Sequence, residues 1–194
     1  HQVGGGEVLN SYHYASGNLL QARDPLGLDA LIVTHQDHWT NHTSVVLIDR
    51  VQGEDGSWTG RAIVLDFDHE DNEGWPLALG GSAPGRIGER DLSSYVEMDE
   101  NGKLTDRSLA NIMIAVSGPY GDGRTEAAYN HRVDFHSALD HVRTLQQDPP
   151  DYSVYTYQCE DFALEVVRAG GASVATRNWP LSPYPHTARN MGRG

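Results

Sequence analysis

Two apolar runs dominate the first half of the chain. Ser44-Val45-Val46-Leu47-Ile48-Asp49 and Arg61-Ala62-Ile63-Val64-Leu65-Asp66-Phe67-Asp68 are short and rich in β-branched residues, which predicts buried strands. Between them Gly53-Glu54-Asp55-Gly56 supplies turn chemistry, so the pair reads as a hairpin with a longish loop, extended by Trp58. Leu31-Ile32-Val33 predicts a further strand or the lead-in to one. Residues 69–108 are rich in Gly, Pro and charge without sustained periodicity, and read as an excursion with at most short elements. Leu109 to Val116 predicts another strand, ended by Gly118-Pro119.

The pattern then changes period. Over residues 134–147, Phe135, Leu139, Val142 and Leu145 share one face of a helix, which Pro149-Pro150 stops. Val154 to Tyr157 is an extended lead-in, and Cys159 to Ala169 predicts a second helix. Its apolar stripe is Phe162, Ala163, Val166 and Val167, and Gly170-Gly171 closes it. The fold class expected is α+β: a small antiparallel sheet packed against a helix that starts at Cys159.

Composition narrows the partners. With 27 acidic against 14 basic residues the formal net charge is -13. A surface that tracks phosphates needs a Lys/Arg stripe, and none is present, so no nucleic-acid partner is expected. A basic protein partner suits the charge. No apolar run approaches the roughly 18–20 residues needed to span a bilayer, so no membrane segment is expected. The single cysteine excludes an internal disulfide and a Cys-based zinc cluster.

That cysteine falls where an extended segment becomes a helix. First-turn N–H groups are unpaired and carry positive partial charge. They stabilise a thiolate and can hold the oxyanion of an acyl-transfer intermediate. A thiol nucleophile needs a base and a group that orients the base. His42 stands at the mouth of the first hairpin strand and Asp66 toward the end of the second. A hairpin centred near residue 54 puts position 42 opposite position 66, with Cβ atoms roughly 5 Å apart. Cys159, His42 and Asp66 are therefore the candidate catalytic set, with Asp68 of the same strand parity as the fallback orienter. No cofactor is expected. A competing constellation is His35-x-x-His38-x-x-x-His42, whose imidazoles offer an alternative metal site and a metal-dependent nuclease or hydrolase.

Two resemblances give these residues a context. The run NSYHYASGNLLQARDPLGL, with Asn10, Tyr12, Tyr14, Asn18 and Asp24-Pro25-Leu26-Gly27-Leu28, resembles the closing segment of an Rhs/YD-repeat shell. One departure is Leu19, where that family usually has Pro. The resemblance implies that residues 1–28 end a longer polypeptide and that residues 29–194 are its toxin or effector domain. It further implies a cleavage junction with Asp24 as the acting carboxylate and Leu28–Asp29 as the bond cut. The partners implied are the Rhs shell of its own precursor and a cognate immunity protein, with delivery into a target cell by a secretion system in bacterial competition. Second, His42, the Asp66-bearing strand and Tyr157-Gln158-Cys159-Glu160-Asp161-Phe162-Ala163 are similar, in that order, to circularly permuted papain-like hydrolases of the NlpC/P60 and LRAT type. This implies a papain-like fold and a cysteine hydrolase (a protease, amidase or deamidase) acting on a protein, peptide or other amide substrate. Cys159 would be nucleophile, His42 base and Asp66 orienter.

Overall fold

The computed structural model describes residues 7–10, 29–36, 41–70, 81–120, 124–130 and 133–174. Six strands among them form one sheet: β1 (Glu7–Asn10), β2 (Asp29–Gln36), β3 (Asn41–Gln52), β4 (Trp58–His69), β5 (Gly85–Asp91) and β6 (Arg124–Asn130). Their spatial order is β1-β6-β2-β3-β4-β5, and every pairing is antiparallel. Three α-helices accompany them: α1 (Asp106–Ser117), α2 (Phe135–Gln147) and α3 (Cys159–Ala169). The protein is thus α+β, with an antiparallel sheet and a helix beginning at Cys159. None of the described helices is long and apolar enough to cross a membrane.

Alternate side chains of the sheet feed two separate cores. Ile32, Val45, Leu47, Ile63, Leu65 and Phe67 pack with Phe135, Ala138 and Val142 of α2 and Phe162, Ala163, Val166 and Val167 of α3. Leu31, Val33, Val46, Ile48, Ala62 and Val64 pack on the other face with Leu109, Ile112 and Val116 of α1. Covering on both faces explains why β3 and β4 read as continuous apolar runs instead of alternating ones.

Three expectations change. The strand expected over Leu109–Val116 is the body of α1. Its buried residues Leu109, Ile112 and Val116 follow helical spacing, while Ile114, which completes an apparent alternation, is 69% exposed. Thr105 caps this helix, its side chain accepting from the Ser108 N–H at 3.1 Å. The excursion contains a full strand, β5, whose charged sequence GRIGERD suits a sheet edge. The hairpin register is also shifted: Ser44, not His42, lies opposite Asp66. The turn closes through Gly53 N–H to Ser57 O (2.8 Å) and Gly56 N–H to Gly53 O (3.0 Å). Gly56 takes φ +82°, a left-handed conformation that favours glycine. The turn therefore centres on Asp55, one residue later than expected.

β1 joins the sheet through β6, from Glu7↔Tyr129 to Asn10↔Glu126. The sheet therefore draws its outermost strand from the N-terminal side of the boundary expected at residue 29. Asp24 and Leu28 lie outside the described residues. Asp29, the first residue of β2, is fully buried and ion-paired with Arg50.

Candidate functional site

The site forms where two strands part company. Pairing between β3 and β4 stops at Ser44↔Asp66. Beyond that point β3 stays with β2 as far as Gln36↔Asn41, and β4 stays with β5 as far as His69↔Gly85. His42, Ser44 and Asp66 share the α1 face of the sheet, because alternate residues of a strand face the same way. α3 packs on the opposite face, where its Phe162 stacks on Phe67 at 5.5 Å. The splayed strand ends let the two layers meet.

Asp66 is a convergence point. His42 Nε2 lies 3.2 Å from its Oδ1, the Ser44 hydroxyl donates to the same oxygen at 2.5 Å, and the Tyr120 hydroxyl donates to it at 3.3 Å. His42 reaches it diagonally, two residues beyond the strand partner Ser44. Burial pushes the Asp66 carboxyl up. Hydrogen bonds from His42 and Ser44, and the positive charges of His42 and Arg90, outweigh that and hold it below its ordinary value. Tyr120, which ends a short 3-10 turn after α1, stacks on the His42 ring at 4.6 Å and 26°. Burial and the neighbouring Asp66 push its phenol upward, so it remains a donor.

Cys159 is the first residue of α3 and has no exposed surface. Its sulfur interacts electrostatically with His42 and with Tyr152. With Nε2 of His42 engaged by Asp66, Nδ1 is the ring nitrogen left for the thiol. Burial pulls His42 down, but the hydrogen bonds to Asp66 and Cys159, together with their negative charges, override it and raise the ring from 6.5 to about 10. The imidazole therefore holds its proton across the neutral range. At the helix start, Asp161 accepts the Gln158 N–H at 3.1 Å and the Gln158 side chain takes the N–H of Asp161, a capping box.

The structure thus brings together Cys159, His42 and Asp66. Asp68 is half exposed, sits 3.8 Å from His69 Nε2 and is not among the groups that shift His42. Of the histidine cluster, His38 lies outside the described residues. His35 is the cross-strand partner of His42, and its Nδ1 faces Thr125 Oγ1 at 3.1 Å. Among the described residues no group of three or more His, Cys, Asp or Glu side chains is arranged to hold a metal ion.

Three participants escaped the sequence reading. Ser44 shares strand parity with His42 and Asp66, a signal that was there to use. Tyr120 follows the Gly118-Pro119 pair and Tyr152 follows Pro149-Pro150. Both pairs mark breaks in the chain and say nothing of where the next aromatic residue points. No protein-family model, curated protein or solved structure matches the chain.

Proposed function

We propose that the chain is a cysteine-dependent hydrolase with Cys159 as nucleophile, His42 as proton carrier and Asp66 as the group that orients His42. The observation that carries this reading is a single imidazole hydrogen-bonded to a carboxylate and electrostatically coupled to a cysteine at a helix start. Nucleophile, base and orienter in mutual contact are the minimum set for covalent acyl transfer. His42 keeps its proton across the neutral range, and in this reading attack starts from a Cys159 thiolate beside that imidazolium.

The sulfur forms a bond to an amide carbonyl carbon, and the C=O electron pair moves onto oxygen. When that pair returns, the C–N bond breaks and the leaving nitrogen takes the proton from His42. Water, deprotonated by the now neutral ring, releases the acyl group and restores the thiolate and imidazolium. Asp66 stabilises the charged ring throughout without itself taking the proton. A papain-like arrangement, and a protease, amidase or deamidase reaction, fit this chemistry equally.

The Rhs-like run ending in Asp24-Pro25-Leu26-Gly27-Leu28 supports a toxin cargo delivered into a competing cell. A basic immunity protein would suit the net charge of -13. Cys159→Ala tests the reading. Toxicity on expression should vanish while circular dichroism and melting temperature stay near wild type; full toxicity in that variant refutes it. One observation favours a second reading, a non-enzymatic domain with a packing cysteine: Cys159 is wholly buried. Thiol labelling of the native protein separates the two, since a packing cysteine resists small alkylating reagents.

A further inference from the structure

Tyr120 covers one face of the His42 ring, and the mechanism above gives that contact no part. His42 needs holding. It lies beyond the last β3–β4 pair, Ser44↔Asp66, and reaches Asp66 only diagonally. A half turn of its imidazole about Cβ–Cγ would carry Nε2 away from Asp66 Oδ1 and put a ring carbon in its place. The ring passes edge-on through such a turn, and the Tyr120 ring, stacked at 4.6 Å and 26°, occupies the space it would sweep. Tyr120 is itself fastened. Its hydroxyl donates to Asp66 Oδ1 at 3.3 Å, and its ring lies 5.7 Å from that of His35, the strand partner of His42. A relay of hydroxyls ties the end of α1, just before the turn that carries Tyr120, to the sheet. Ser117 gives its proton to Met113 O at 2.8 Å, and Thr125 gives its own to Ser117 at 3.0 Å. Thr125 Oγ1 can then only accept, so His35 donates to it through Nδ1–H at 3.1 Å.

We propose that Tyr120 is a positioning residue whose aromatic face locks His42 in the orientation that presents Nε2 to Asp66 and leaves Nδ1 for Cys159. This rests on Cys159 being the nucleophile and His42 its proton carrier. The ring face carries the effect, and the hydroxyl is secondary. Asp66 Oδ1 already receives Ser44 at 2.5 Å and His42 at 3.2 Å, and the phenol is its third and longest donor. Among the described residues no other aromatic ring stacks on His42. Charge adds to the fit, because the negative face of a phenol ring attracts a protonated imidazole, the form that delivers a proton to the leaving nitrogen. His35 enters this arrangement as a brace for the segment that carries Tyr120.

The test separates ring from hydroxyl. Tyr120→Phe keeps the stacked face and removes the donor, whereas Tyr120→Leu removes the face. Acetylation of Cys159 by p-nitrophenyl acetate is followed by mass on the intact protein. Its rate should stay within about threefold of wild type in Tyr120→Phe and fall by roughly tenfold or more in Tyr120→Leu. The His42 ring signals, identified as those missing in His42→Gln, report the stacking without any reaction. They should lie upfield in wild type and in Tyr120→Phe, and that displacement should be lost in Tyr120→Leu. A loss of acetylation by tenfold or more in Tyr120→Phe moves the role to the hydroxyl and overturns the proposal, even where Tyr120→Leu fails to fold. Wild-type His42 signals with no upfield displacement, or a wild-type rate in folded Tyr120→Leu, overturn it while leaving Cys159 as nucleophile. A wild-type Cys159 that takes no acetyl group overturns the nucleophile reading and this proposal with it.

Discussion

The ion pair at the site predicts how one histidine titrates when its carboxylate is neutralised. Asp66→Asn is nearly isosteric and retains an Oδ1 to accept from Ser44 and Tyr120, so the hydroxyl network survives while the negative charge that acts on His42 does not. Both side chains are well covered, His42 at 13% and Asp66 at 21% exposure, so solvent screens the lost interaction only in part. A hydrogen bond to a charged partner contributes about 1.5–3 kcal/mol, which at about 1.36 kcal/mol per pH unit is a fall of roughly one to two units. The ring should therefore titrate clearly below the wild-type value of about 10, with the contribution of Cys159 remaining. The assay is a titration of the ring Cε1–H signals in histidine-labelled protein from pH 5 to 11, with His42 identified by the signal missing in His42→Gln. Stability follows the same equilibrium. Because folding raises this ring above its ordinary 6.5, its stabilisation is complete below about pH 6.5 and is lost as pH rises through about 10. Wild-type stability should decline across that window by at most about 5 kcal/mol, and in Asp66→Asn the decline should be smaller and end earlier. At the acid end the sign reverses: Asp66 is held below its ordinary 3.8, so its contribution disappears as pH falls beneath that. A wild-type His42 that titrates near 6.5, or an Asp66→Asn ring that titrates as the wild type does, refutes the charge coupling on which the catalytic reading depends.

Two further perturbations test the scaffold. In Gly85→Ala the new Cβ would lie 2.1 Å from Pro150 O and 2.6 and 2.7 Å from Phe67 ring atoms, so overpacking should cost about 1–3 kcal/mol; a melting temperature equal to wild type would refute the close approach of β5 to the segment leading into α3. Arg50→Met breaks the ion pair with the fully buried Asp29 and should cost about 3–5 kcal/mol in urea unfolding, with most of the loss recovered when Asp29→Leu is added. An unchanged urea midpoint in the single variant would show that the pair is not buried as described.

How much of the fold was readable depended on whether an element announced itself by burial or by company. β3, β4, α2 and α3 carry their own patterns, because each buries enough apolar residues to imprint a period. β5 and β6 do not. β5 is an edge strand of mostly charged residues, ordered by its pairing with β4 from Ile63↔Asp91 to His69↔Gly85. Among the described side chains of β6 the buried apolar residues are Ala127 and Ala128, and alanine is a poor signal for a strand. α1 misled because Ile112, Ile114 and Val116 alternate, yet the residues that decide its state are Thr105 as cap and Leu109, Ile112 and Val116 on one helical face. An alternation three residues deep is too short to outweigh a capped turn.

The site was legible in proportion to how far its geometry follows from local rules. Cys159 at a helix start is a local feature, and the helix begins at that residue. The contact between His42 and Asp66 rests on a rule that tolerates error. Centring the turn at 54 rather than Asp55 displaces the register by two residues, and an even displacement keeps every side chain on its own face. His42 and Asp66 therefore remain neighbours, diagonal instead of opposite, and the vacated position is filled by Ser44, which donates to the same carboxylate oxygen. A displacement by one would have turned Asp66 away from His42 altogether. Parity cannot forecast where two strands separate. That separation lets α3, packed on the other face, bring a thiol to the imidazole. It depends on β2 holding one strand and β5 the other, and β5 is the strand the sequence concealed. The residues of the candidate site were thus visible in the sequence, while the opening that unites them belongs to the sheet as a whole.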